Sequence, residues 1–288
     1  MERFGRALTF SLVAVVLGGL ACSSDRGAPA RRVVEIVGTD YVFQVPKDIK
    51  AGPTVFHFAN HGKVRHELNV FLLKQGVRMQ QFLERRKANR STRDLVDGPV
   101  GVLFADSGKR SNGGLSTELL AGREYGVICI LKDNETAPRH FDMGMYTTFR
   151  VEGSGSQPVA ATGTDTIIGV DYAFKYRDTL PPGRHEFVFD NRGIVQHEMI
   201  LILLKKGVTT DSILKVAQKN GDTDALIDDA PGLLTALPGT KSVGRLEIDL
   251  LPGREYTLAC FYSDSQNAPP HVALGMYGRI HVAAAQRT

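Results

Sequence analysis

Residues 125–146 read YGVICILKDNETAPRHFDMGMY, and residues 256–277 read YTLACFYSDSQNAPPHVALGMY. The second stretch lies 131 positions after the first and repeats its Tyr, Cys, Pro, His, Gly and Met: Tyr125/Tyr256, Cys129/Cys260, Pro138/Pro269, His140/His271, Gly144/Gly275 and Met145/Met276. In each, Tyr, an aliphatic residue and Cys occupy alternate positions, the period of one strand face, so each Cys shares a core-facing side with its Tyr near the strand's end. The same offset relates Asn60, Gly62, His66 and Glu67 to Asn191, Gly193, His197 and Glu198. The copies align without net gap from Gly38/Gly169 to Tyr146/Tyr277. The chain is a tandem repeat.

Outward from these stretches the pattern stays β. His66, Leu68, Val70 and Leu72 fall on one face of a strand, with Phe71 and Leu73 on the other. His197, Met199, Leu201 and Leu203 repeat the first face, and Ile200, Ile202 and Leu204 the second. A strand that is apolar on both faces needs cover on both sides. The cover is expected from a helix, signalled by Met79, Phe82 and Leu83 in one copy and by Ile213, Leu214, Val216 and Ala217 in the other. Thr209 or Thr210 would cap the second helix and Gly221 would end it. Short strands with turn signals and one inserted helix read as a β-sandwich. The expected organisation is a first domain at 33–152, a small-residue linker at 153–163 (GSGSQPVAATG) and a second domain at 164–283.

Each repeat carries His, then Cys-x10-His-x4-Met. Two imidazoles, a thiolate and a thioether form a soft, mixed donor set, and such a set in trigonal geometry with a weak axial Met suits copper in both of its oxidation states. On these residues, on Asn-x-Gly-x3-His and on the Pro-Gly-Arg-Glu-Tyr turn before Cys260 with its Ala-Gly-Arg-Glu-Tyr counterpart before Cys129, both repeats resemble the cupredoxins, the blue-copper family. The resemblance implies a mainly β chain of two tandem cupredoxin-like Greek-key β-sandwiches, each with a short inserted helix. It implies one copper per domain, held by His66, Cys129, His140 and Met145 and by His197, Cys260, His271 and Met276. Two departures stand out. Ten residues separate Cys from the second His, where small cupredoxins have two to four, although the copper nitrite reductases of the same fold have longer loops. Glu67 and Glu198 follow the first His where the family often has Asn, so the usual hydrogen bond behind the ligands needs another donor or acceptor.

Comparison of the copies selects among candidates. Of the eight histidines, His57, His61, His185 and His281 have no counterpart, whereas the four proposed ligands pair up. Met143 aligns with Leu274, and Met145 aligns with Met276. Duplication alone also copies residues, so a metal-free sandwich with packed Cys and His stays open, as does a Cys129–Cys260 disulfide between domains.

The resemblance frames the function. The larger copper enzymes of this fold place His residues beside the ligand Cys and use His-x-His pairs, but here Ile128 and Ile130 flank Cys129, Ala259 and Phe261 flank Cys260, and the sequence has no His-x-His. The expectation is therefore a non-enzyme: a one-electron carrier, with copper holding and delivery or a metal-free envelope interaction module as alternatives. Residues 1–21 read as a signal peptide and Gly-Leu-Ala-Cys22 as a lipoprotein box, with 22–32 a lipidated tether. Ordinary secretion with a free Cys22 is the alternative. That places the protein in a bacterial cell envelope, anchored to a membrane by lipid, with a redox protein or a copper donor or acceptor as partner. With 42% apolar and 23% charged residues the composition is globular, and a net charge of +4 makes no case for nucleic acid. Arg78, Arg85, Arg86, Lys87, Arg90 and Arg93 read as a basic face on the first helix, first of all an ordinary solvated face, with docking of an acidic partner or anionic lipid as the alternative.

Overall fold

A computed structural model describes residues 31–153, 165–217, 223–265 and 267–285. The signal peptide, Cys22, most of the linker and Gly221 lie outside the described residues. The first repeat forms β1 (Arg32–Thr39), β2 (Val42–Gln44), β3 (Gly52–Asn60), β4 (His66–Leu73), α1 (Met79–Lys87), β5 (Val96–Ala105), β6 (Gly113–Leu119), β7 (Glu124–Ile128) and β8 (Tyr146–Arg150). The second forms β9 (Asp165–Val170), β10 (Ala173–Lys175), β11 (Thr179–Leu180), β12 (Gly183–Asn191), β13 (His197–Leu204), α2 (Thr210–Ala217), β14 (Ile227–Ala236), β15 (Arg245–Leu250), β16 (Glu255–Ala259) and β17 (Tyr277–Val282).

Within the first repeat, β2-β1-β3-β6 faces β5-β4-β7-β8, with β1 parallel to β3, and the second repeats this as β10-β9-β12-β15 and β14-β13-β16-β17. These are the two expected cupredoxin-like sandwiches. Inward residues of both sheets, among them Phe56, Leu115, Phe187 and Leu246 of one and Leu68, Val127, Met199 and Leu258 of the other, form one continuous core. The outward face of β4 is covered as its sequence demands: Phe71 and Leu73 pack with Met79, Phe82 and Leu83 of α1. Phe71 stacks on Phe82 at 4.4 Å, a pair whose burial contributes on the order of 2 kcal/mol per ring. On β13, Ile202 and Leu204 meet Ile213 of α2 in the same way. Thr209 caps α2 reciprocally: its Oγ1 accepts the Ser212 N–H at 3.3 Å, and its own N–H donates to the Ser212 Oγ at 2.9 Å.

The sandwiches are joined into shared sheets, a feature that the repeat reading did not anticipate. β6 pairs antiparallel with β15 in one sheet, and β5 with β14 in the other. Val102 lies opposite Leu233, its own counterpart 131 residues later, and Leu115 lies opposite Leu246, again its own counterpart. Both self-pairs fall on a single local two-fold through the two sheets, the geometry of an isologous dimer built within one chain. Close approach there requires glycine. A Cβ on Gly232 would lie 2.8 Å from the Val102 carbonyl oxygen and 2.6 Å from Leu246, and one on its counterpart Gly101 would lie 3.0 Å from the Leu233 oxygen.

The basic residues near α1 do not form a single face. Arg78 precedes the helix, Arg90 and Arg93 follow it, Arg85 pairs with Asp94, Arg86 is half-buried and Arg93 turns to the second repeat. Acids and polar groups of the chain itself engage part of the charge that the sequence suggested was free.

Gly232→Ala places a methyl against the backbone of the neighbouring domain. It is expected to destabilise the protein by about 1–3 kcal/mol in urea unfolding. A cost below about 0.5 kcal/mol would contradict the close-packed interface.

Candidate metal centres

The first centre begins at a buried amide. Asn60, at the end of β3, donates from Nδ2 to the carbonyls of Val64 at 2.8 Å and Ala105 at 2.9 Å, and its Oδ1 accepts the Gly62 N–H at 2.8 Å. This clamps the turn into β4 and fixes where His66 starts the strand. A Cβ on Gly62 would stand 2.9 Å from His66 Nε2 and 2.7 Å from Asp40 Oδ1, which explains Asn-x-Gly-x3-His. Asn191 makes the same three bonds in the second repeat, at 2.8, 3.0 and 2.9 Å.

Cys129 follows β7 directly, and its N–H donates to the Met145 carbonyl at 3.1 Å. The ten intervening residues fold back on themselves: Lys132 bridges Arg139, and the His140 N–H donates to the Leu131 carbonyl at 2.8 Å. The excursion is closed at its base, so its length does not displace His140. The Met145 N–H then donates to the His140 carbonyl at 3.0 Å, and Gly144 makes the turn at φ 107°. In the second repeat, His271 bonds to Tyr262 at 2.8 Å, Met276 to His271 at 2.9 Å and Cys260 to Met276 at 3.1 Å.

The result brings His66, Cys129 and His140 together, and likewise His197, Cys260 and His271. In the first centre the two Nδ1 atoms are 3.0 Å apart, with Cys129 Sγ 3.3 Å from His140 Nδ1 and 4.0 Å from His66 Nδ1. The second centre gives 2.9, 3.5 and 4.0 Å. All six side chains are buried, as are Met145 and Met276, and both thiols are free. Between described residues there is thus no Cys129–Cys260 disulfide.

Groups behind the ligands orient them. His140 Nε2 meets Asp133 Oδ1 at 2.9 Å, and the Tyr41 hydroxyl donates to Asp133 Oδ2 at 2.7 Å. Asp264 and Tyr172 serve His271 in the same way, at 3.1 and 2.8 Å. A carboxylate on Nε2–H leaves the Nδ1 lone pair directed at the centre. Tyr41 and Tyr172 hold the left-handed conformation at φ 64° and 63°, uncommon for a bulky side chain, and each ring packs edge-on against both imidazoles. The sequence reading missed these four residues. The signal was there, since Tyr41/Tyr172 and Asp133/Asp264 also recur at the 131-residue offset.

Glu67 resolves the second departure. Its N–H donates to Cys129 Sγ at 3.4 Å, while its Oε1 accepts the Ile130 N–H at 3.1 Å, tying the strand of the first His to that of the Cys. Glu198 repeats this with Cys260 at 3.4 Å and Phe261 at 3.0 Å. Burial pushes Glu67 up to about 7. Burial likewise pushes both Cys thiols up to about 12, and burial with the neighbouring imidazole takes His66 down to about 4. Buried charge is disfavoured at these groups unless a cation offsets it. A thiol, which would bind a metal as the thiolate, and two imidazoles converging in a dry site fit copper, one centre in each domain.

No protein-family model and no curated protein matches the sequence. Solved structures with some likeness include an auracyanin from Roseiflexus castenholzii, 22% identical over 41% of this chain and 94% of that one, with a TM-score of 0.29. Auracyanin A from Chloroflexus aurantiacus, titled a "blue" copper protein, is 18% identical over 44% and 99%, with a TM-score of 0.25. A copper nitrite reductase from Nitrosomonas europaea is 12% identical over 88% and 94%, with a TM-score of 0.23. Likeness at this level adds no argument, and the fold and centres stand on the strand order and distances above.

The metal-free protein carries a pH signature. Glu67 ionises at about 7 when folded and near 4.5 when unfolded, so between those values the native state holds the extra proton and stability falls as pH rises. His66 opposes this, since its folded value of about 4 lies below the ordinary 6.5 and stability rises with pH across that window. Glu67→Gln keeps an acceptor for Ile130 and removes only the first contribution. The stability of wild type relative to the variant should fall by roughly 2–3 kcal/mol from about pH 4.5 to 7. A flat difference in urea titrations across that range would refute the buried proton.

Proposed function

We propose that this chain is an exported copper protein that passes single electrons through two blue-copper-type centres, tethered to a membrane through a lipid on Cys22. His66, Cys129, His140 and Met145 would hold one copper, and His197, Cys260, His271 and Met276 the other. The observation that carries the reading is the convergence of a buried thiol and two Nδ1 atoms, made twice in one chain with nearly the same distances. Copper supplies a one-electron couple there. The protein fixes the donors beforehand through Asn60, Asp133, Tyr41 and Glu67 and their counterparts, which keeps the ligands in place when the charge changes.

Transfer in preference to catalysis is supported by the neighbours of each Cys. Ile130 and Phe261 supply no further imidazole beside the thiolate, and the Glu67 carboxylate is committed to the Ile130 N–H. Both centres are sealed, with each ligand 1% exposed or less. The two-fold sets them at opposite ends of the strands: His66 pairs with Ala105 and His197 with Ala236, and these two lie on opposite sides of the Val102–Leu233 pair. At about 3.3 Å per residue and about 4.8 Å per strand, the separation is on the order of 20–25 Å. Each centre therefore meets its own partner, a redox protein or a copper donor or acceptor. No helix among the described residues is long and apolar enough to cross a membrane, and attachment would rest on the lipid.

Copper(II) added to the protein should bind at two equivalents and give an intense thiolate-to-copper visible band. Cys129→Ser and Cys260→Ser should each remove about half of that intensity and one equivalent. Two equivalents without the band would favour copper holding and delivery, and no binding would leave a metal-free interaction module.

A further inference from the structure

The two centres are held by different latches. At the first, Arg139 in the Cys–His loop reaches its own domain's helix, donating from Nη1 to the Arg86 carbonyl at 3.3 Å and from Nη2 to Asn89 Oδ1 at 3.0 Å. The counterpart of Arg139 is Pro270, which has no side-chain donor. The second loop is held instead from the other repeat. Arg93, just before β5, donates from Nε to Gln196 Oε1 at 2.7 Å and from Nη2 to the Tyr262 hydroxyl at 2.9 Å. Its guanidinium also lies 5.9 Å from the centre of the Tyr262 ring.

Both contacts bear on the centre. Gln196 immediately precedes His197. The Tyr262 carbonyl accepts the His271 N–H at 2.8 Å, and its ring lies 5.7 Å from the His271 ring. At the first centre, Arg65 and Leu131 stand where Gln196 and Tyr262 stand, and Arg93 is replaced by Asp224. Arg65 and Leu131 line a recess of about 440 Å³ that extends to Ile200 of the second domain. At the second centre the corresponding residues, Gln196 and Tyr262, are instead both bonded to the Arg93 guanidinium.

We propose that Arg93 is a positioning residue of the second centre, supplied by the neighbouring domain, so that the His271 loop is completed across the domain interface while the His140 loop is completed within its own domain. The inference rests on the ligand reading for what His271 does, whereas the latch itself is a property of the metal-free chain. It makes the two centres unequal despite their matching ligands: losing the Arg93 guanidinium loosens the second and spares the first.

The test uses the metal-free full-length protein and iodoacetamide, with alkylation of each cysteine followed separately by peptide mass spectrometry. Both thiols are buried, so labelling reports how often each loop opens. Arg93→Ala should speed labelling of Cys260 by about three- to tenfold, the effect of losing two charge-assisted hydrogen bonds and a ring contact, and leave Cys129 within about a factor of two. Arg139→Ala should do the reverse, and Tyr262→Phe should fall between wild type and Arg93→Ala at Cys260. Unchanged Cys260 labelling in Arg93→Ala would overturn the proposal, as would equal acceleration at both cysteines, which signals general loosening. With copper bound, Arg93→Ala should shift the band or potential in a Cys129→Ser background and leave both unchanged in a Cys260→Ser background, with Arg93→Lys restoring part of the shift. Failure to bind copper would remove the ligand reading while leaving the labelling result to decide the latch.

Discussion

Three backbone hydrogen bonds hold each centre together. Cys129 donates to Met145, Met145 to His140, and His140 to Leu131, so the segment that carries three of the four candidate ligands is closed on itself before any metal enters. The same set ties Cys260, Met276, His271 and Tyr262. Everything else about the centre depends on this closure. It makes the ten-residue excursion harmless to the position of His140, and it frees the excursion for a second task, which is to bring Asp133 back to His140 Nε2. A shorter loop would place the same imidazole but would need another acceptor behind it.

The closure is sited by two further constraints. Asn60 and Gly62 fix the start of β4, and Glu67 joins that start to the residue after Cys129. The side chains proposed as ligands therefore come from two strands and one loop that cannot move independently. Under the proposed electron-transfer reading, that is the arrangement a metal with a changing charge would need, because the protein's hydrogen bonds would hold the ligands in either oxidation state. The second level of order is the internal two-fold through Val102–Leu233 and Leu115–Leu246. It turns two small sandwiches into one body with shared sheets and sends the centres to opposite ends. It also leaves local surroundings free to diverge, as Arg93 and Arg139 do.

Much of this was legible in the sequence. Alternation placed Tyr125, Val127 and Cys129 on the core face, and the doubly apolar β4 called for the cover that Met79, Phe82 and Leu83 provide. The repeat itself picked out His66, Cys129 and His140 from the other titratable groups, and the structure brings them within contact. What the sequence hid was non-local. Pairing of β5 with β14 depends on small residues such as Gly101 and Gly232 whose role appears only when two backbones meet. Tyr41 and Asp133 were visible as repeated residues, but their link to His140 spans 92 and 7 positions and has no local pattern. The basic residues in and around α1 read as a surface because the partners of Arg85 and Arg93 are set by tertiary contact.

The central claim is that each repeat presents a thiolate and two imidazoles to one copper ion in a geometry that the protein fixes in advance. X-ray absorption at the copper edge, taken on the fully loaded protein in both oxidation states, addresses it directly. The account predicts one short sulfur and two nitrogen neighbours per copper, with distances that barely change on reduction. Copper surrounded only by nitrogen and oxygen, or a coordination shell that rearranges on reduction, would contradict it.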